Sequence, residues 1–567
     1  MNKKRFWRLL FLPILMLSLC FTCFSSITVA APVEETPLVR NETSTKSVYP
    51  FPWNKPGPTS PYLQSASPQA GGMLGHPLRK MDAVIEEAID SKLTSGAVVL
   101  VARKGKIVKH QAYGYAAQYK DDQFTPLENP VRMKRDTIFD LASITKLFTT
   151  TAAMILYEEG KFDLDDPVAT YIPEFAQNGK EKVTIRQLMT HTSGFAAGIP
   201  LYNMGNSREE RLQILFAHPL DHEPGSTYIY SDLNMIVLGA LIERLTNERL
   251  DHFITKRITT PLGMHDTMYN PPQRLKPRIA ATEYQTRVPR GLVWGEVHDE
   301  KAWALDGIAG HAGLFSTAKD LAIFGHMMLQ EGKYGNKRIL KPETVRLMMK
   351  NFTPQFPGDD HGLGWELNQG WYMDAFTEPD TMGHTGFTGT SLVISPQNKA
   401  ILILLTNRVH PSRNMGTINP LRREVARMAA DAIPAPLPDK KGVWFAGYGD
   451  QQDATLQATL PTQGNKKLSF TTWYRTESPG DTGRIEISET GKSWQKVNEP
   501  IVGNSEGWQQ YEIPLPKQAR FVRFRYQTDE LINGRGWYVK DPTITLENGK
   551  KLPISWKSDQ HWEIRNW

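Results

Sequence analysis

Three places in the chain set a lysine three residues after a serine: Ser143/Lys146, Ser316/Lys319 and Ser493/Lys496. On a helix this spacing puts both side chains on one face, where a deprotonated lysine can take the proton of an attacking hydroxyl. A free lysine, with a pKa of about 10.4, keeps its proton at neutral pH, so the pair needs burial or a neighbouring cation. Context separates the three. Ser143 opens a strongly apolar helical segment, 144–159, so Lys146 falls one turn into packed surroundings. Lys319 stands beside Asp320 in a capping sequence and Lys496 in a polar strand-turn stretch, both solvated settings. Taken alone, Ser143 also fits an N-cap serine followed by an exposed helix lysine.

Two further segments carry chemistry. Tyr230-Ser231-Asp232 follows Pro224-Gly225 and precedes an apolar helix, 235–245. A tyrosine beside a Ser/Lys pair can shuttle a proton between nucleophile and leaving group, although core packing explains any single tyrosine equally well. Gly383-His384-Thr385-Gly386-Phe387-Thr388-Gly389 then leads into a strand from Thr390. Its glycines let a substrate lie against backbone and aim the Phe387 N–H at a developing oxyanion. His384 and Thr385 would hold a substrate carboxylate. A tight turn into a strand explains the glycines but not the order of the motifs.

Ser-x-x-Lys, then Tyr-x-Asn, then (Lys/His)-Thr-Gly resembles the serine β-lactamase and penicillin-binding-protein superfamily, above all its class C-like branch of exported hydrolases. Phe139-Asp140-Leu141-Ala142-Ser143-Ile144-Thr145-Lys146, Leu188-Met189-Thr190-His191-Thr192-Ser193-Gly194-Phe195 and Gly310-His311-Ala312-Gly313-Leu314-Phe315-Ser316 extend the match over residues 78–435. The resemblance implies an α+β fold: an antiparallel sheet flanked by helices, an all-helical subdomain, and an active site between them. It implies Ser143 as nucleophile, Lys146 as proton acceptor and Tyr230 as the residue assisting acid/base steps. It further implies an oxyanion hole from the backbone N–H groups of Ser143 and Phe387, and substrate contacts from Asp232, His384, Thr385 and Gly386. Two positions depart from the pattern. Asp232 replaces an Asn and brings a negative charge to Lys146, where it either holds that lysine protonated or serves only as an acceptor. His384 replaces the commoner Lys, a weaker and pH-dependent cation. Both favour peptidase or esterase chemistry over β-lactam hydrolysis. The class A pattern fits worse, because it needs Asn where Leu233 stands.

The elements around these motifs follow from periodicity. Met81, Val84, Ile85, Ala88 and Ile89 recur at helical spacing, and 97–102 and 107–115 read as paired strands around the turn at Lys104-Gly105-Lys106. The middle, 135–350, is mainly helical, with a second apolar helix at 320–331. Strands return at 390–395 and 400–406, then a helix at 421–433. Pro434, Pro436 and Pro438 mark a boundary. Beyond it, 468–474, 484–488, 509–513, 521–526 and 536–539 alternate like the strands of a β-sandwich over 441–567. Leu468-Ser469-Phe470-Thr471-Thr472-Trp473-Tyr474, Ile485-Glu486-Ile487-Ser488 and Gly536-Trp537-Tyr538-Val539 resemble the jelly-roll accessory domain that follows the protease unit of secreted bacterial metalloproteases. The paired acids usual there appear only as Asp541 after Lys540, which leaves a calcium site without support. Trp508, Trp537, Trp556, Trp562 and Trp567 either stack on sugar rings of a wall glycan or build the sandwich core and its contact with the hydrolase.

With 567 residues, 40% hydrophobic and 22% charged, the chain has the composition of a globular protein of several domains. Of its net charge of +6, four charges (Lys3, Lys4, Arg5 and Arg8) sit in an acid-free start, so the body is nearly neutral and offers no footprint for nucleic acid. That basic start, the apolar run 9–24 and the small residues Thr28-Val29-Ala30 read as an export signal over 1–30, or, uncleaved, as a membrane anchor. Cys20 and Cys23 both fall within it, so the mature chain has no thiol catalysis, disulfide or cysteine-bound zinc. Residues 31–75 read as a Pro/Ser/Thr-rich linker, docked through Tyr49, Phe51 and Trp53. Gly503-Asn504-Ser505-Glu506-Gly507 matches a nucleophile elbow in letters, but a strand pattern follows where a helix is required. Val297-His298-Asp299-Glu300 groups ligand-type side chains, yet adjacent residues rarely converge on one metal, so this loop reads as cleft lining, with Trp294 and Trp303 in pocket or core. No metal and no cofactor is expected. The expected function is an exported serine hydrolase acting through an acyl-enzyme on cell-wall-related peptides, of the D-Ala-D-Ala carboxypeptidase or penicillin-binding type. Its partners would be a small-molecule, peptide or peptidoglycan substrate. The alternatives are an esterase or β-lactamase of the same superfamily, and a wall-binding or β-lactam-sensing protein that does not turn over.

Overall fold

The computed structural model describes residues 58–435, 442–462 and 464–566. The export signal, its cleavage site, the first part of the 31–75 segment with its three aromatics, and Trp567 lie outside the described residues. Among the described residues no helix is long and apolar enough to cross a membrane.

Gly96–Arg103 is buried along its whole length, so both of its faces must be covered. Val98, Leu100 and Ala102 enter one core with Leu147, Phe148, Leu321 and Phe324. Ala97, Val99 and Val101 enter another with Met81, Ile85, Leu421, Val425 and Ala429. Period-two alternation thus places one sheet between two helical layers. The sheet runs Gln64–Ser65, Lys106–Tyr119, Gly96–Arg103, Ala400–Thr406, Ser391–Ser395, Met382–Thr385, Glu366–Leu367, with Pro126–Arg132 pairing off the second strand. Its pairs are antiparallel except the first, where Gln64 and Ser65 run parallel to Lys106 and Ile107. Within the described end of the 31–75 segment, Gln64–Ser65 thus adds a two-residue edge strand to the sheet. Helices Gly75–Asp90 and Asn419–Asp431 cover one face, and Ala318–Leu329 packs on the other.

The helical layer that matters for chemistry holds Thr145–Glu158 against Asp232–Thr246. The second of these starts three residues before its apolar pattern, because the Ser231 hydroxyl caps it by accepting the Leu233 N–H at 3.2 Å.

Residues from Val443 onward form two antiparallel five-stranded sheets, with Gly536–Leu546 central to one and Phe521–Gln527 to the other. Leu468, Phe470, Val522, Phe524, Trp537 and Trp562 fill the space between them. Trp508 packs with Ala435, Phe445, Trp473 and Tyr538, and Trp556 lies partly buried against the interior with its indole N–H on the Pro542 carbonyl at 2.9 Å. Trp508, Trp537 and Trp562 are thus buried in packing and Trp556 partly so. The Lys540 ammonium sits 2.6 Å from Asp541, the acid considered for calcium.

Hydrolase and sandwich meet through ion pairs: Arg475 on Glu378 at 2.8 Å, Arg427 on Asp450 at 3.0 Å and Arg565 on Asp431 at 2.5 Å. Arg535 also donates to the Ile433 carbonyl at 2.7 Å. Ile532 presses on Gly370, where an added Cβ would come within 2.6 Å of it. Glu378 is only 3% exposed, and burial holds its carboxyl above the usual range. Arg475→Met should therefore cost about 3 kcal/mol, the low end for breaking a buried pair, because Glu378 can take up a proton instead. Urea unfolding of the full chain reads this, and a loss below about 0.5 kcal/mol, the level of an ordinary surface change, would show that the pair does not hold the junction.

Candidate active site

Phe139–Asp140 pairs with Leu314–Ser316, and the chain then turns sharply into the nucleophile helix. The turn passes through Ala142 at φ +48°, a left-handed conformation that costs a residue with a Cβ about 1–2 kcal/mol. Its N–H is held by Asp140 Oδ1 at 2.8 Å, while Asp140 Oδ2 accepts the His298 N–H at 2.6 Å. Ser143 follows in a single 3-10 turn, Ala142–Ile144, and Thr145–Glu158 continues from it.

Lys146, in the first turn, is fully buried. Its Nζ lies 2.8 Å from Ser143 Oγ, 2.9 Å from Asp232 Oδ1 and 3.2 Å from the His311 carbonyl. Burial lowers its pKa, and Asp232 works against that. Tyr230 stacks over this ammonium, with its ring centroid 4.8 Å from Nζ and its hydroxyl facing Ser143. Burial and the Asp232 charge push the Tyr230 phenol well up, so it stays protonated and can donate. The geometry brings Ser143, Lys146, Tyr230 and Asp232 together.

The sequence reading missed what stands behind Asp232. Its Oδ2 is 3.2 Å from Lys301 Nζ, and Lys301 reaches Asp299 Oδ2 at 3.0 Å. Asp299 Oδ1 in turn meets His311 Nε2 at 2.8 Å and accepts the Ala302 N–H at 2.8 Å, capping Glu300–Ala304. Ligand-type atoms of Asp232, Asp299 and His311 lie within 4.8 Å of one another, and the Lys301 ammonium bridges the two carboxylates. Burial opposes the charge on Lys301, but the two carboxylates outweigh it and raise its pKa. The 297–300 cluster and the segment that begins Gly310-His311 were the signals in the chain pointing here. Of its members, Asp299 joins the site, His298 pairs with Glu283 at 2.9 Å, and Glu300 binds Arg413.

Met382–Thr385 carries His384 and Thr385 to the cleft edge, and 386–389 turns back into Ser391–Ser395. Two threonine hydroxyls fasten that turn to the residues before the nucleophile: Thr388 donates to the Asp140 carbonyl at 2.8 Å and Thr390 to that of Leu141 at 3.0 Å. From Asn419–Asp431, Arg422 donates to the Gly386 and Thr390 carbonyls at 2.9 and 2.8 Å, a clamp with no local sequence signal. The backbone around Phe387 is thereby tied to the backbone around Ser143.

His384 departs from its expected role. It is 1% exposed, its Nδ1 donates to the Thr385 carbonyl at 2.7 Å, and burial pulls its pKa down to about 3. Burial thus disfavours its charged form, and it is not among the residues that line the cavity beside Ser143. His361, brought down to about 3 by burial, and His191, held well below its usual value, are neutral too. Tyr230 packs against the rings of His191 and His384, at 4.7 and 5.9 Å between centroids. The positive charge of the cleft comes instead from arginines. A cavity of about 730 Å³ is lined by Ser143, Tyr230, Thr385, Phe387, Arg408 and Arg413, among others. Arg413 is paired with Glu283 and Glu300 at 2.6 and 2.5 Å. Arg408 lies over the half-exposed Phe387 ring and bonds only to carbonyls among the described residues.

The other serine–lysine spacings are not sites. The buried Ser316 hydroxyl bonds Thr267 at 2.7 Å while Lys319 is exposed, and Ser493 and Lys496 are both exposed. Ser505 donates to the Tyr474 carbonyl in a turn. Neither Trp294 nor Trp303 lines the cavity. Tyr230→Phe keeps the packing and removes the hydroxyl that faces Ser143. It should lower kcat about 10²-fold, the low end for a general acid, with KM near wild type. Steady-state kinetics with an amide substrate checks this, and an unchanged kcat would reduce Tyr230 to packing.

Comparison with known proteins adds the following. The family described as Beta-lactamase matches residues 81–427, ending before the sandwich. Proteins of Salmonella paratyphi B and Salmonella typhi, named as D-alanyl-D-alanine carboxypeptidases, are 37% identical over 393 residues, covering 64% of this chain and 89% of theirs. Among solved structures, EstCE1, a hydrolase with promiscuous acyltransferase activity, is 25% identical with a TM-score of 0.50, covering 62% of this chain and 98% of its own.

Proposed function

This chain belongs to the beta-lactamase family and is a serine hydrolase, and we propose that it acts as an exported carboxypeptidase on cell-wall-related peptides ending in D-alanine. The observation that carries the reading is the fully buried Lys146 Nζ at 2.8 Å from Ser143 Oγ. Lys146 takes the hydroxyl proton as Ser143 Oγ attacks the penultimate carbonyl. Charge collects on the carbonyl oxygen, opposite the N–H groups of Ser143 and Phe387. The C–N bond then breaks, with Tyr230 passing the proton to the departing amine of D-alanine. Water attacks the ester on Ser143 and releases the shortened peptide. Thr385 and Arg408 take the terminal carboxylate, since His384 is neutral. The relatives' names and the basic, apolar N-terminal run support a wall substrate outside the cytoplasm. A second reading, an esterase, is favoured by that same neutral His384 and by the likeness to EstCE1.

The test is mass spectrometry of the full chain after penicillin, with Ser143→Ala alongside, coupled to D-alanine release from an acyl-D-Ala-D-Ala peptide and to hydrolysis of a p-nitrophenyl ester. A Ser143 adduct with D-alanine release is expected. Ester turnover without either selects the esterase. Drug loss without adduct, absent in the alanine variant, means a β-lactamase.

A further inference from the structure

We propose that Lys301 is a positioning residue for acylation: its ammonium offsets Asp232, so that Asp232 orients Lys146 without keeping it protonated. The inference rests on Ser143 and Lys146 being nucleophile and base. Asp232 stands where the motif has a neutral Asn, and a lone carboxylate 2.9 Å from Lys146 would favour the ammonium form and block catalysis. The structure answers with a second ammonium on the other oxygen, 3.2 Å away and shared with Asp299, which reduces the negative charge that Asp232 presents to Lys146. Lys301 is itself anchored by Asp299, which sits at a helix N-terminus with the His311 ring on its far oxygen. His311 closes the circuit, because its backbone carbonyl is the third acceptor of Lys146. The remaining titratable groups around Lys146 are Tyr230, Glu366, His191 and His384. His191 and His384 are neutral; behind Asp232 stand Lys301, at 3.2 Å, and the His311 ring, with ligand-type atoms within 4.8 Å, and of these two Lys301 makes the direct ion pair.

The experiment is the pH profile of kcat/KM for p-nitrophenyl ester hydrolysis by the full chain, for Lys301→Met, Lys301→Arg, Asp232→Asn and the double variant Asp232→Asn/Lys301→Met. Lys301→Met should move the acid limb up by about one pH unit and lower kcat/KM at pH 7 by about tenfold. Lys301→Arg should keep the wild-type limb, and the double variant should return to it, since Asn needs no counter-ion. Asp232→Asn alone should move the limb down. An unmoved limb in Lys301→Met would overturn the proposal, as would a double variant whose limb stays with that of the single variant. Should Lys301→Met not fold, the double variant decides: an acid limb at the wild-type pH, whatever its rate, supports the proposal, and a limb raised by about one unit overturns it. Full activity in Ser143→Ala would instead sink the nucleophile reading itself, whatever the Lys301 variants do.

Discussion

Lys146→Ala should lower kcat/KM by about 10²–10⁴-fold, the range general-base catalysis spans. The side chain is fully buried and touches the nucleophile, so nothing on the solvent side can substitute for it. The loss should be chemical and not structural, because Asp232 keeps Lys301 as its partner when Lys146 is removed. Lys146→Arg separates charge from proton transfer. An arginine retains a cation over Tyr230 but cannot give up its proton, so it should be as slow as the alanine variant. Single-turnover acylation by an activated ester, with unfolding midpoints as a control, measures this directly. Activity within tenfold of wild type in either variant would remove Lys146 as the base.

Gly386→Ala should lower kcat by about 10²–10³-fold, the loss seen when an oxyanion donor is displaced. An added Cβ would lie 2.1 Å from Thr390 Oγ1 and 2.4 Å from the Leu141 carbonyl, and the second is backbone that cannot swing away. The turn must shift, and the Phe387 N–H shifts with it. Gly198 is the matched control, since an added Cβ there meets nothing within 4 Å and Gly198→Ala should be silent. An active Gly386→Ala variant would mean that the 386–389 turn does not set the oxyanion position.

The strands and helices that frame the cleft were legible because burial on both faces leaves a continuous apolar run, as in 97–102, and because the apolar stretches after Ser143 and Ser231 are long. Ser143, Lys146 and Tyr230 were legible as an ordered set of motifs. Lys301 and Arg422 were not, because each reaches the site from a distant loop or helix and a lone basic residue has no local signature. The burial of His384 was hidden for the same reason: how far an imidazole's charged form is disfavoured depends on tertiary packing. The sandwich tryptophans were ambiguous for the same reason, and packing claimed them.

Ile532 of the sandwich rests on Gly370, and the next residue, Trp371, lines the reaction cavity. Every residue that lines the cavity belongs to the hydrolase, and the second module braces one stretch of that wall from behind. Recombination that traded this C-terminal unit for another would leave every cavity-lining side chain in place and take away the support that Ile532 gives behind Trp371. A chain cropped at 435 keeps its motif residues and loses a buttress, so the loop around Ile532 is a place where change in the second module can be felt next to the cleft.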